Sequence, residues 1–268
     1  MSQATPSDLA LAFAEMSLRA GEAIMDVREA GVKARKKADA SPVTEADERA
    51  EAIILTALAE LLPSTPVLAE EAASRGEHFE AEETFLLVDP LDGTKEFVNG
   101  RDDFTVNIAL IEAGAPKLGC VYAPARRACF LGDVETGAWR ATLSPSDTVS
   151  AGAFTPISVR KPPAAGLTAM VSRSHLDPKT EAFLKTIPLN DDAAAGSSLK
   201  FCRVAEGAAD VYPRFGPTME WDTGAGQAVL AAAGGLVTTP EGAPFGYGKT
   251  AEGYRNGAFI AWGGYRPN

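Results

Sequence analysis

The stretch "VDPLDGTKEF", residues 88–97, places Asp89 and Asp92 on either side of Pro90-Leu91, directly after the apolar run "TFLLV". Asp-Pro and Asp-Gly are common turn dipeptides, so a polar turn is one account of the segment. The other account is chemical. Two carboxylates this close repel each other unless cations lie between them. Hard divalent cations such as Mg²⁺ take oxygen ligands, among them backbone carbonyls like that of Leu91. The N–H groups of Gly93 and Thr94, opening a turn or helix, offer an anion site beside them. Metal ligands next to a phosphate cradle are what phosphoryl chemistry requires. The segment alone does not separate the two accounts.

Three further acidic segments stand elsewhere in the chain. "LAEEAAS" puts Glu70 at the end of a short apolar strand, where a solvated acidic pair is the simpler account. In "SPVTEADERAE", Thr44 precedes Asp47 by three, the spacing of a capping box at a helix start. In "MEWDTGAGQAVL", Asp222 stands just before a helix, a favoured N-cap position.

The elements that must position these groups follow from periodicity. Leu9, Phe13, Met16, Ala20, Ile24 and Val27 recur at helical steps and predict a helix over 9–28. "KARKKADASP" reads as a solvated basic loop. A second helix begins near Thr44 and is stopped by Pro63 and Ser64. "TPVLA" and "TFLLVDP" read as strands, with the chain turning at Pro90-Leu91. "FTVNIALIEAGAPKLGCVYAPARRACFLGD" reads as two or three more strands, and "TGAWRATL" as another hairpin arm. Residues 141–156, rich in Ser, Thr, Pro, Ala and Gly, mark a boundary between an N-terminal α+β domain (1–150) and a C-terminal α/β domain (151–268). In the second part, "LTAMVSRSH" is a strand leading into a polar turn, "DPKTEAFLKTI" a helix, and "DAAAGSSLKFCRVAEGAADVYPRFG" a Gly-Ser turn followed by a helix and then a strand. "TGAGQAVLAAAGG" is a helix closed by Gly234 and Gly235, and "NGAFIAWG" is a last strand. Helices interleaved with strands throughout imply a layered α/β or α+β fold.

Composition narrows the function. The chain has 268 residues, 46% hydrophobic and 23% charged, with a formal net charge of −11. Such a surface repels polyanions, which excludes nucleic-acid polymers bound through a basic face. A small anionic substrate requires a local reversal of the field, which a bound divalent cation provides. Cys120, Cys129 and Cys202 are odd in number and lack C-x-x-C spacing, so buried thiols in a reducing cytoplasm are expected. No transmembrane run and no signal peptide are expected; peripheral membrane association and oligomeric state stay open. "GYGKT" fails as a phosphate-binding loop because Ala243 occupies the first glycine position. The two histidines, His78 and His175, have no local partners for a Ser-His-Asp arrangement.

Taken together, D-P-L-D-G-T, the upstream E-E, V-T-x-A-D and the late W-D-x-x-A/G pattern resemble the inositol monophosphatase superfamily of Mg²⁺-dependent, lithium-sensitive phosphatases. The motifs run from residue 41 to residue 230. Lys95-Glu96-Phe97, "VSRSH", "GSSLKFCRVAEGAADVYPR" and "YGK" (247–249) resemble its 3′(2′),5′-bisphosphate nucleotidase branch, the CysQ-type enzymes. One departure is Ala69, where many relatives carry glycine. The resemblance implies a layered αβαβα sandwich of the sugar-phosphatase type and a role in sulfur assimilation. It implies hydrolysis of adenosine 3′,5′-bisphosphate (PAP) to AMP and phosphate, with PAPS a further substrate; an inositol or histidinol phosphate phosphatase is the alternative. It assigns metal ligation to Glu70, Asp89, the Leu91 carbonyl, Asp92 and Asp222, holding two to three Mg²⁺ ions for which Li⁺ competes. It assigns catalytic roles to Asp47, Thr94 and Glu70. Substrate contacts are carried over to Glu70, Leu91, Asp92, Gly93, Thr94, Arg173, His175, Ser197, Ser198, Lys200 and Asp222. Lys200 is the favoured cation for the phosphate that is not cleaved.

Overall fold

A computed structural model describes residues 5–36, 42–77, 79–172 and 177–265. The first helix, α1 (Asp8–Ala30), is capped by Ser7 and turns its apolar stripe of Phe13, Met16, Ala20, Ile24 and Val27 inward. It extends slightly beyond both predicted ends because Ser7 and Gly31 supply the caps. Residues around the basic segment form a short hairpin, β1 (Ala34–Lys36) against β2 (Pro42–Thr44), where a loop was expected. The pairing needs no apolar pattern, which is why the sequence conceals it. The next helix, α2 (Glu45–Leu61), opens with the predicted capping box: Ala46 N–H donates to Thr44 Oγ1 and Thr44 N–H to Asp47 Oδ2.

A seven-stranded sheet follows. It comprises β3 (Val67–Ala69), β4 (Thr84–Asp92), β5 (Thr105–Glu112), β6 (Ala115–Ala123), β7 (Ala128–Asp133), β8 (Gly137–Thr142) and β9 (Thr155–Ile157), in that spatial order. All pairings are antiparallel except β3 with β4. Two one-and-a-half-turn helices sit at its site-bearing end: α3 (Glu70–Ser74) after β3 and α4 (Thr94–Val98) after β4.

A second, five-stranded sheet has the order β11-β10-β12-β16-β14, built from β10 (Leu167–Ser172), β11 (Leu189–Ala195), β12 (Val211–Arg214), β14 (Leu236–Thr238) and β16 (Phe259–Trp262). The strand β11 is an edge strand reading Leu-Asn-Asp-Asp-Ala-Ala-Ala, a composition depleted in strand formers; the sequence reads it as a turn. Between these strands come α5 (Pro178–Leu184), α6 (Leu199–Ala205) and α7 (Gly224–Ala232). The two-residue strands β13 (Thr218–Met219) and β15 (Arg255–Asn256) pair beside the site.

The layers stack as helix, sheet, helix, sheet, helix. One core joins α1 and α2 to one face of the large sheet through Ile24, Ile54, Leu86, Ile108 and Cys120. A second core packs α6 and α7 between the two sheets through Phe85, Val121, Phe201, Val229 and Phe259. A third sets Phe183 and Leu184 of α5 against Trp262 on the far face of the small sheet. This is the αβαβα sandwich that the resemblance implies.

The central layer depends on two glycines. A methyl group on Gly132 would lie 2.3 Å from the Cα of Val229, and one on Gly119 would lie 2.6 Å from the Ala225 carbonyl. In both cases the obstacle is the backbone of α7, which cannot step aside as a side chain could. Gly132→Ala is expected to cost about 3 kcal/mol or more, the upper range for overpacking a core. Denaturant unfolding monitored by far-UV circular dichroism measures it, and a loss below about 1 kcal/mol would contradict the close approach.

Candidate active site

The cavity at the ends of β3 and β4 has a volume of about 670 Å³ and is lined by residues that include Glu70 and Arg214. The Asp-Pro-Leu-Asp segment enters it differently from the turn that the sequence suggests. Strand β4 does not end at Asp89 but continues to Asp92, with a bulge between. Asp89 pairs with Asn107 and Asp92 with Thr105, so three steps on β4 oppose two on β5. Side chains in a strand alternate faces, and residues three apart point to opposite sides. The extra residue restores the phase, so Asp89 and Asp92 both line the cavity. Pro90 has no N–H to lose where the ladder is interrupted. Gly93 then takes a left-handed conformation (φ 94°), and a Cβ there would meet the Asp103 carbonyl at 3.0 Å.

Other elements bring the remaining groups to the same place. Glu70 is the first residue of α3, and the buried Glu51 carboxylate of α2 holds that helix start by accepting from Glu71 N–H at 2.8 Å. Asp222 ends a 3-10 turn (Glu220–Asp222). It was expected to cap the following helix, but Thr223 occupies that position and Asp222 Oδ2 instead accepts from Met219 N–H at 2.7 Å. The Thr94 hydroxyl lies 3.0 Å from Asp47 Oδ1 and 3.2 Å from the Leu91 carbonyl oxygen. With one proton, it donates to one of them at a time.

Ser198 ties the end of β4 to the 3-10 turn that carries Asp222. Its N–H and hydroxyl both reach Asp92 Oδ2, at 2.6 and 3.0 Å, and its hydroxyl also lies 2.8 Å from the Asp222 carbonyl. Asn107 Nδ2 donates to the Ser198 hydroxyl at 3.0 Å. The Gly-Ser turn is itself strained, with Ser197 at φ 50°. Lys200 is buried (4% exposed), and its ammonium donates to the Ser197 carbonyl at 2.6 Å and lies over the Tyr212 ring. It lines the cavity but is committed to holding the turn, whereas the sequence favours it as a phosphate ligand. Burial lowers its pKa to about 8, partly offset by Asp92.

Sequence reasoning misses three contributors: Glu51, Asn107 and Arg214. Glu51 and Asn107 act across long sequence separations, and Glu51 and Arg214 close the segments SPVTEADERAE and GSSLKFCRVAEGAADVYPR without anything there singling them out. Arg214 lines the cavity, and its Nε is buried without a hydrogen-bond partner among the described residues. Arg173 and His175, named from the resemblance, lie outside the described residues.

The electrostatics show convergence. Burial raises the pKa of Asp89 well above the carboxylate range, and the charges of Glu70, Asp92 and Asp222 raise it further; Asp89 also shares a hydrogen bond with Glu70. Asp222 is raised likewise, by burial and then by Asp92 and Glu70. Asp92 is raised by burial against the opposing pull of Lys200 and the Ser198 bonds. Among the described residues, no three His, Cys, Asp or Glu side chains close a metal cage on their own. An open arrangement of oxygen donors suits Mg²⁺, which keeps several waters and binds through few carboxylates plus substrate phosphate. The donor set is all oxygen and strongly anionic, and the charges of Lys200 and Arg214 in the same cavity leave the pKa values of its aspartates raised, so it fits hard divalent ions.

A carboxylate whose pKa is raised on folding binds its proton more tightly in the folded state. The metal-free protein therefore loses stability as pH rises from about 4, the unfolded value, through the raised folded values. Asp89→Asn removes one of the mutually repelling charges. In EDTA it is expected to melt at least about 2 °C above wild type at pH 8, with a smaller gap at pH 5. Scanning calorimetry at the two pH values measures this; an equal or lower melting temperature at pH 8 would contradict the crowding.

The model of the inositol monophosphatase family matches residues 7–260. The chain is 44% identical over 238 residues to the 3′(2′),5′-bisphosphate nucleotidase CysQ of Escherichia coli strain K12, covering 87% of this chain and 91% of that protein. The crystal structure of CysQ from Bacteroides thetaiotaomicron superposes with a TM-score of 0.79 at 36% identity, covering 96% and 98% of the two chains. Inositol monophosphatase from Anabaena superposes with a TM-score of 0.71 at 26% identity, covering 94% and 90%. The chain belongs to the inositol monophosphatase family.

Proposed function

We propose that this chain is a Mg²⁺-dependent phosphomonoesterase, a 3′(2′),5′-bisphosphate nucleotidase that hydrolyses adenosine 3′,5′-bisphosphate to AMP and phosphate and also accepts PAPS. The observation that carries this is the phase-restoring bulge, which turns Asp89 and Asp92 into one cavity with Glu70 and Asp222. The similarity to the CysQ nucleotidases supports the choice of substrate.

Glu70, Asp89, the Leu91 carbonyl, Asp92 and Asp222 would hold two to three Mg²⁺ ions, and lithium would inhibit by taking one of their places. Such ions, when bound, neutralise phosphoryl oxygens and lower the pKa of a water nucleophile. The chain's own groups do the rest. Thr94 and Asp47 form a proton path: the Thr94 hydroxyl accepts a proton from the attacking water and passes its own to Asp47 Oδ1, 3.0 Å away. Asp47 is held for this by Thr44, whose N–H and hydroxyl both donate to Oδ2 at 2.7 Å. Glu70, beside Asp89, orients the same water. The amides of Gly93 and Thr94 receive the reacting phosphoryl group. Arg214, which lines the same cavity, is the side chain that meets the second phosphate, with Ser197, Ser198 and Lys200 shaping the Gly-Ser turn.

The same reading divides the chain near residue 150, with most cation ligands in the first part and Asp222 and the nucleotide contacts in the second. The three buried thiols are all unpaired, which suits a cytoplasmic location.

Side-by-side rates on adenosine 3′,5′-bisphosphate and inositol 1-phosphate test the assignment. The nucleotide is expected to be preferred, and EDTA is expected to abolish both rates; a preference for the inositol or histidinol ester would overturn the substrate assignment. Asp92→Asn keeps the shape of the side chain but removes its charge. It is expected to lower kcat by about 10²-fold or more with an unchanged circular dichroism spectrum, and near-normal turnover would refute its role as a ligand.

A further inference from the structure

The segment Tyr247-Gly248-Lys249 marks the branch in sequence, yet it lines no part of the cavity and the proposed chemistry does not use it. In the structure it is a cradle for a carboxylate. Gly248 N–H donates to Glu220 Oε2 and Lys249 N–H to Glu220 Oε1, each at 2.9 Å. Gly248 has φ 86°, and a left-handed residue in such a position lets successive amides converge on one anion. The Lys249 ammonium lies 3.4 Å from Oε1 and 3.1 Å from Asn256 Oδ1, and it also contacts the Gly246 carbonyl. Glu220 is fully buried.

Glu220 stands two residues before Asp222 in the same 3-10 turn, and the network that holds it grips both ends of that turn. Glu220 N–H donates to the Tyr254 carbonyl. Asn256 Nδ2 donates to the Met219 carbonyl at 2.7 Å and to the Thr223 hydroxyl at 3.0 Å. The Tyr247 hydroxyl bonds to the Thr223 hydroxyl at 3.1 Å and to Gln227 Oε1 at 2.9 Å. Asp222 lies between these anchors, with its own carboxylate fixed by the Met219 amide. A buried, charged glutamate is a costly means of shaping a turn unless the turn must be held against a force. Repulsion of Asp222 by Asp92 and Glu70 is that force.

We infer that Glu220, clamped by the 247–249 segment, is a positioning residue that holds Asp222 in the cation-binding arrangement. The inference rests on the metal-dependent reading above. Its test is equilibrium Mn²⁺ binding to the purified full chain without nucleotide, followed by electron paramagnetic resonance of the free ion. Glu220→Gln loses the charge and sets an amide against one of the two N–H donors. It is expected to weaken Mn²⁺ binding by about 10- to 100-fold, as removal of groups that orient metal ligands does, and to raise the Mn²⁺ needed for half-maximal turnover while kcat at saturating Mn²⁺ recovers. Wild-type Mn²⁺ affinity in a folded Glu220→Gln protein overturns the inference, whatever its melting temperature. If that variant does not fold, Lys249→Met, which removes the ammonium facing Glu220 Oε1, decides by the same measurement: weakened binding supports the clamp, and unchanged binding overturns it. A wild-type chain that binds no Mn²⁺ sinks the metal-dependent reading and this inference together.

Discussion

Mutual repulsion among Glu70, Asp89, Asp92 and Asp222 is the constraint on which the rest of the architecture depends. Left to themselves, four such carboxylates would separate into solvent. Here three different elements fix them, so that no single relaxation relieves the crowding: α3 for Glu70, the bulged end of β4 for Asp89 and Asp92, and the 3-10 turn before α7 for Asp222. The energy for this comes from the apolar layers. Folding of the two large cores pins the site, and the site in turn makes the metal-free fold less stable than it could be, the usual tension between stability and activity.

The layers explain how pieces so distant in sequence meet. Helices α6 and α7 lie between the two sheets, and each carries a part of the site at or near its first turn: Ser198 stands just before α6 with its hydroxyl turned to the site, and Asp222 stands just before α7. The close backbone approach at Gly119 and Gly132 sets the height of α7 above the large sheet. Asp222 is thereby placed relative to Asp92 by packing far from the cavity. The Gly-Ser turn is fixed from the other side, because Gly196 N–H donates to the buried Asp103 carboxylate, which is itself paired with Arg126.

What the sequence reveals of this follows the range of each interaction. The capping box at Thr44 and Asp47 is local and was legible, as were the amphipathic α1 and the glycine-closed α7. The convergence of acidic motifs was legible only through resemblance, since nothing in the spacing of residues 70, 89 and 222 brings them together. Strand β11 was hidden by its aspartates and alanines. Glu51 and Asn107 were hidden because a residue that supports another across the fold carries no local pattern, and Arg214 because nothing in its segment sets it apart. Lys200 is a different case: it lines the cavity, and the carbonyls its ammonium meets, which belong to its own turn, could not be read from its position in the sequence.

The bulge in β4 makes the spacing of the aspartates a matter of parity. Along a regular strand only even separations share a face, so a pair set at two or four residues would need no irregularity and would be flat and far from any helix start. An odd separation with one residue looped out gives a sharper result. Both acids come to one side, and Gly93 and Thr94, directly after Asp92, line the same cavity. A length change of one residue between the two aspartates would therefore act like a frameshift in a reading frame, turning one acid away with every atom of its side chain intact.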